Sequence, residues 1–207
     1  SETFLADLAK DAKETAAQER PAVGRIGLKS GQLTYQGQPM KDNKMEVLIL
    51  AAGFRNVYYM GKYNPDNVVP PNCFAVSLTG ENMAPHANVV EPEHTDCDTC
   101  PMHEWGSADT GRGKACKETR RLVLMPGSAV TDDPEVLKSA ELAVLDLPVT
   151  STKEYANYVN TLAATANVPP YAAIAEIHVV PDAKTQFKVK LHPLRIVPSQ
   201  EHLLALR

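Results

Sequence analysis

The sequence predicts a mainly β chain of the α+β class: a small barrel with one or two flanking helices and an aperiodic, cysteine-bearing insertion. Three observations carry this reading. About seven or eight short apolar runs are bounded by Gly, Pro, Asn and Asp turn signals. Only one stretch, after Thr150, has a strong helical period. Strands and helices do not alternate in the way parallel βαβ units require. A length of 207 residues suits one domain, or one domain with an insertion, and can bury a real core.

Residues 1–22 form the first element. Phe4, Leu5, Leu8, Ala12 and Ala16 make a weak apolar stripe that Pro21 ends, which predicts an N-terminal helix. The barrel domain is expected over 23–198. RIGLKSG and QLTYQG read as short strands about Ser30-Gly31, and KMEVLILAAG is a strongly apolar strand followed by FRNVYYMGKY, where aromatics and cations mix. The proline-rich NPDNVVPPN leads to Cys73, and residues 79–118 show no period at all. A structureless segment of that length inside a compact domain needs something to order it, and a bound metal would do so, which places a zinc-binding insertion at about 73–118. RRLVLM and SAELAVLDLPV are the next strands. Ser151 and Glu154 then read as a capping box for a helix whose Tyr155, Tyr158, Val159, Leu162 and Ala166 share one face, closed by Pro169-Pro170. YAAIAEIHVV and QFKVKLHPLRIV form a hairpin about Pro181-Asp182, and the short amphipathic tail, 199–207, is expected to dock in cis or in trans.

The formal charge of −4 and pI near 5.9 do not mark the whole chain as a nucleic-acid binder, although a sum can hide a local patch. No run of 18 apolar residues would span a membrane, and the polar N-terminus lacks the apolar centre of a signal peptide. The expected location is therefore cytoplasmic, where thiols stay reduced and Cys-x-x-Cys reads as a metal or redox site rather than a disulfide.

Cys97 and Cys100 have the spacing that lets two thiolates grip one tetrahedral Zn²⁺, and Cys116 follows close to the zinc-ribbon interval. A ribbon ends in a second pair, and Cys116 stands alone, so a fourth ligand must come from elsewhere. Cys73, at the mouth of the aperiodic segment, is preferred; His94 and His103 remain alternatives. Four free thiols or a redox dithiol are the competing readings. The expected zinc is structural: four thiolates leave no open position for water, H-E-x-x-H is absent, and no His-x-Glu precedes the pair as a deaminase needs. No acid, base or nucleophile stands out, so the chain is not expected to be an enzyme.

GRGKACKETRR carries Arg112, Lys114, Lys117, Arg120 and Arg121 against Glu118 alone, a local charge of +4 (five minus one). Glycines there let a backbone approach phosphates, and Trp105 lies near enough to stack on a base. It is not a P-loop, since Ala115 and Cys116 follow Lys114. FRNVYYMGKY repeats the theme with Arg55, Tyr58, Tyr59 and Lys62; on a strand one of the two tyrosines faces the core and the other is exposed. Exposed aromatics flanked by cations suit a single-strand platform. The plainer reading is that strand aromatics are core and charge runs are solvated faces.

Cys73 after Pro-Pro, C-x-x-C-P-x-x-x-W-G-S, G-x-G-K-A-C and Arg-Arg-Leu together resemble a family of small bacteriophage proteins regarded as single-stranded DNA-binding proteins. The YYMGKY segment and the YAAIAEIHVVPDAKTQFKV hairpin are similar too, so the resemblance spans about residues 45–195. It implies an OB-like barrel with an inserted Cys₄ zinc knuckle, Cys73, Cys97, Cys100 and Cys116 as ligands, and a role in phage DNA replication or recombination in the host cytoplasm. His103 stands where a neutral polar residue is expected, which keeps the fourth ligand open. Single-stranded DNA is then the main partner, with phage or host replication proteins and a homo-oligomer as further ones. The alternative is a zinc-stabilised adaptor that binds a host or replication factor.

Overall fold

A computed structural model describes residues 24–61 and 69–206; the expected N-terminal helix and Lys62 lie outside the described residues. Nine strands are described: β1 (Gly24–Gly27), β2 (Thr34–Tyr35), β3 (Gln38–Pro39), β4 (Lys44–Tyr58), β5 (Cys73–Ser77), β6 (Lys117–Pro126), β7 (Ala143–Leu147), β8 (Ala173–Asp182) and β9 (Gln186–Ile196). Two α-helices join them, α1 (Thr152–Thr165) and α2 (Gln200–Ala205). The strands form one curled open sheet, a half-barrel in the order β3-β2-β1-β7-β6-β4-β8-β9, with β5 also on β4. Only the β1–β7 pairing is parallel.

β4 is the trunk. The apolar KMEVLILAAG and the aromatic FRNVY are one continuous strand, because β-branched and aromatic side chains fit a pleated surface along its whole length. β6 pairs one edge from Val47 to Val57, with a bulge between Ile49 and Ala51. The other edge is shared: β8 takes Lys44–Leu48 and β5 takes Phe54–Tyr58. The bulge bends the strand, so its two halves serve different parts of the molecule.

Alternation sorts the side chains. Met45, Val47 and Ile49 bury against Leu122, Leu124, Leu145, Leu147, Ala175 and Ile177, and α1 covers this core with Tyr155, Tyr158 and Leu162. On the other face Leu48, Met125 and Ile174 make a second cluster with Leu137 and Val197. Leu203 and Leu206 pack on that cluster, so the C-terminal tail docks in cis. His202 secures it, through Ser199 Oγ at 2.8 Å and the Thr131 carbonyl at 2.6 Å.

Two local expectations need correction. Ser151 is the residue before α1, but its hydroxyl makes no capping bond; it is fully buried and accepts from Val189 N at 3.0 Å. Glu154 likewise reaches Lys190 at 2.8 Å instead of the helix end. Packing against β9 outcompetes the local cap. The hairpin turn falls at residues 183–185, because Pro181 and Asp182 still pair with Phe187 and Gln186.

Candidate metal centre and nucleic-acid interface

Between Leu78 and Cys116 there is no strand, only a 3-10 turn at Pro101–His103. Local backbone bonds fix the cysteines instead. Cys73 opens β5 opposite Tyr58 in the register. Cys97 N donates to the Met83 carbonyl at 2.9 Å, His103 N to Cys100 O at 2.9 Å, and Cys116 N to Met102 O at 2.7 Å. One of these bonds closes a tight turn and the other two tie residues 14 apart, and all four thiols line one cavity of about 20 Å³. That is room for a single water or ion.

None of the four is in a disulfide, and Cys97, Cys100 and Cys116 are buried. Among the described residues, no three His, Cys, Asp or Glu side chains are grouped tightly enough to hold a metal ion as they stand. The donor chemistry nevertheless fits Zn²⁺: four soft sulfurs face one ion-sized space, in a segment with little else to order it. Burial, with the neighbouring Cys97, Cys100 and Cys73, pushes the Cys116 thiol up to about 12. Burial also raises Cys97, against a hydrogen bond from Asn56, with Cys73 and Cys100 adding to the rise. A nucleophilic redox cysteine needs the opposite shift, so the redox reading loses support. Zn²⁺ would supply the charge that makes these groups thiolates.

The histidines separate. His103 Nδ1 contacts Cys97 O at 2.9 Å and Nε2 contacts Glu118 at 2.9 Å, so both ring nitrogens are engaged and neither is left for a metal. His94 lines the cavity and meets Asp96 at 3.4 Å through Nδ1, which leaves Nε2 as the atom it could offer. Tyr58 also lines the cavity, and burial, then Glu93, Asp109 and Cys100, raise its pKa. Tyr59 points outward at 48% exposure.

The opposite face of the sheet carries the cations. The registers align Val57 with Lys117, Arg55 with Thr119, and Gly53 with Arg121, which in turn pairs Asp146. Asp146 accepts from Arg121 Nε at 2.7 Å and Nη2 at 2.9 Å, and meets Arg55 at 3.4 Å and Arg25 at 4.0 Å. Three guanidiniums therefore share one carboxylate, a local charge of +2. Burial alone would raise the Asp146 pKa, but the hydrogen bonds of Arg121 and the charges of Arg55 and Arg25 outweigh it and hold the carboxyl low. Phe74, stacked on His86 at 4.8 Å, and the exposed Val76 flank this face.

The GRGKACKETRR run is not one patch. Arg112 is exposed on the knuckle. Lys114 pairs Glu118 at 3.3 Å and lies 5.7 Å over Trp105, whose ring is 79% exposed. Lys117 Nζ hydrogen-bonds the Lys114 carbonyl. Arg121 lies on the cationic face, whereas Arg120 lies on the other, its guanidinium 3.3 Å from the Phe54 ring centroid. Gly80, at φ +80°, meets that ring too; a Cβ there would come within 2.9 Å of it. Sequence reasoning missed Arg25, Asn56, Phe74 and Asp146. Only Asn56, a buried amide in an apolar strand, left a trace that could have been read. No protein-family model, no curated protein and no solved structure matches this chain.

Proposed function

We propose that the protein is a non-catalytic, sequence-independent single-stranded DNA-binding protein, built on an OB-like barrel with a structural zinc knuckle. The barrel reading is supported by five strands in chain order: β4, β6 and β7 pair in succession, α1 follows, and β8 returns to β4 with β9 beside it. In OB-like barrels the face of the second and third strands, with the loops joining strands one to two and four to five, takes oligonucleotides. Here those features are the β6–β7 face, the knuckle and the β8–β9 turn.

The observation that carries the proposal is what those places hold. The β6–β7 face bears Arg121 and its neighbours Arg55 and Arg25 around Asp146. The knuckle offers Trp105 and Arg112, and the turn offers the exposed Lys184. Guanidiniums match phosphate geometry, and a base stacked on Trp105 would add about 1–3 kcal/mol whatever its identity. Cys73, Cys97, Cys100 and Cys116 would hold Zn²⁺ with no position open to water, and the metal would order the knuckle that presents Trp105. An anisotropy titration should show a poly-dT oligonucleotide bound more tightly than a duplex of equal length; equal affinity for both would refute the proposal.

A second reading is a partner-binding adaptor in replication or recombination, favoured by Leu78 at 78% and Val90 at 93% exposure on the knuckle. It requires a discrete partner in a pull-down and no affinity for DNA.

A further inference from the structure

A groove lies on the face of the sheet turned away from Arg121. On one edge β4 pairs β8 only as far as Leu48 and β5 only from Phe54, so residues 49–53 have no strand partner there among the described residues. A space of about 470 Å³ opens over this gap, between β4, α1 and the Pro170–Ala172 turn. Ile49, Ala52, Tyr155 and Tyr171 line it, with Asn160 and Arg120 as its polar groups. The volume suits a small ligand, and an apolar lining with a few convergent polar groups is how such sites are built.

Arg120 is the informative residue. Alternation along β6 turns it to the side of Leu122, where its guanidinium lies over Phe54 at 3.3 Å. Its neighbour Arg121 has Asp146, but among the described residues no carboxylate pairs with Arg120. Burial disfavours its charge, and among the described residues the titratable group acting on it is the Tyr155 hydroxyl. A partly buried cation without a counter-ion is costly until an anion joins it. A guanidinium fork matches phosphate, the aromatic lining of Tyr155 and Tyr171 suits a flat ring, and the Asn160 amide can both donate to and accept from a base edge.

We infer that this groove binds a mononucleotide unit, with its phosphate on Arg120, its base between Tyr155 and Tyr171, and the base edge towards Asn160. Two sources share this chemistry, a free nucleotide and the phosphorylated end of a DNA strand. The site stands apart from the Arg55–Arg121 face and does not depend on the strand-binding reading.

Titration of the full chain with dTMP, followed calorimetrically, tests it without any oligonucleotide. One dTMP should bind per chain, with thymidine and inorganic phosphate each about tenfold weaker or worse, because each lacks half of the recognised chemistry. Arg120→Gln should weaken dTMP about tenfold or more. Since that change also disturbs Phe54, Asn160→Asp provides a second variant: the position is exposed on α1, and a carboxylate there loses the amide donor and repels the carbonyl oxygens of the base edge, which should lower affinity several-fold. Competition by a 5′-phosphorylated oligonucleotide but not its unphosphorylated form assigns the groove to strand ends; competition by neither assigns it to free nucleotide. If dTMP binds no better than phosphate, or Asn160→Asp changes nothing while the chain stays folded, the inference fails.

Discussion

The sheet and the knuckle that interrupts it are held by different physics. In β4, β6, β7 and β8, Val47, Leu122, Leu145 and Ile177 are wholly buried and support one another, so the sheet is stabilised by removing apolar surface from water. Between Leu78 and Cys116 the buried apolar residues are Met83 and three cysteines. That segment has almost no core of its own: Met83 and Cys97 pack with Ala75 and Phe54, and turns and a few backbone hydrogen bonds hold the rest. The difference teaches that a stretch without periodicity can still be well defined, provided a few specific links replace the missing packing.

Removing the proposed zinc should give the largest effect and break the comparison most cleanly. Structural zinc in small domains contributes on the order of 10 kcal/mol of apparent binding free energy. Elemental analysis should find about one zinc per chain, and chelation should speed hydrogen exchange at the Cys97 and Cys116 amides while the amides of β6 and β8 stay protected. Unchanged exchange in the knuckle would mean that it needs no metal.

A core truncation should act in the opposite sense. Leu145→Ala, at zero exposure, should cost about 3–5 kcal/mol in urea denaturation and unfold sheet and knuckle together.

Asp146 couples stability to charge. Its carboxyl is held below the ordinary value, so its contribution is fully present above about pH 4 and is lost as pH falls through the lower folded value. Asp146→Asn should remove about 1–3 kcal/mol and erase that acid dependence, yet raise affinity for single-stranded DNA by freeing Arg25, Arg55 and Arg121 for phosphate. A variant with unchanged acid stability would contradict the assigned pairing.

Trp105→Ala should have the smallest effect. The ring is 79% exposed, so stability should hardly move, while affinity for poly-dT should fall by about 1 kcal/mol.

Much of the fold was legible where a residue's role depends on near neighbours. Tyr155, Tyr158 and Leu162 sit on one helical face because the helical period puts them there, and the apolar run of β4 announces a central strand. The cysteine spacing predicted a zinc site; the four thiols line one cavity, and elemental analysis is what tests the metal. Roles set by distant partners were not legible. Nothing near Ser151 indicates that Val189 would claim its hydroxyl, and nothing links Arg25, Arg55 and Arg121 before the sheet brings Asp146 among them. Two adjacent arginines, Arg120 and Arg121, read as one patch in sequence, but strand alternation sends them to opposite faces.

The salt dependence of poly-dT binding tests the central claim most directly. If Arg25, Arg55, Arg112, Arg121 and Lys184 meet phosphates, log K should fall against log salt with a slope of about −3.5, near 0.7 per contact on a single strand, and Arg121→Ala should reduce it by about one contact. An affinity that stays flat between about 50 and 300 mM salt would contradict the account.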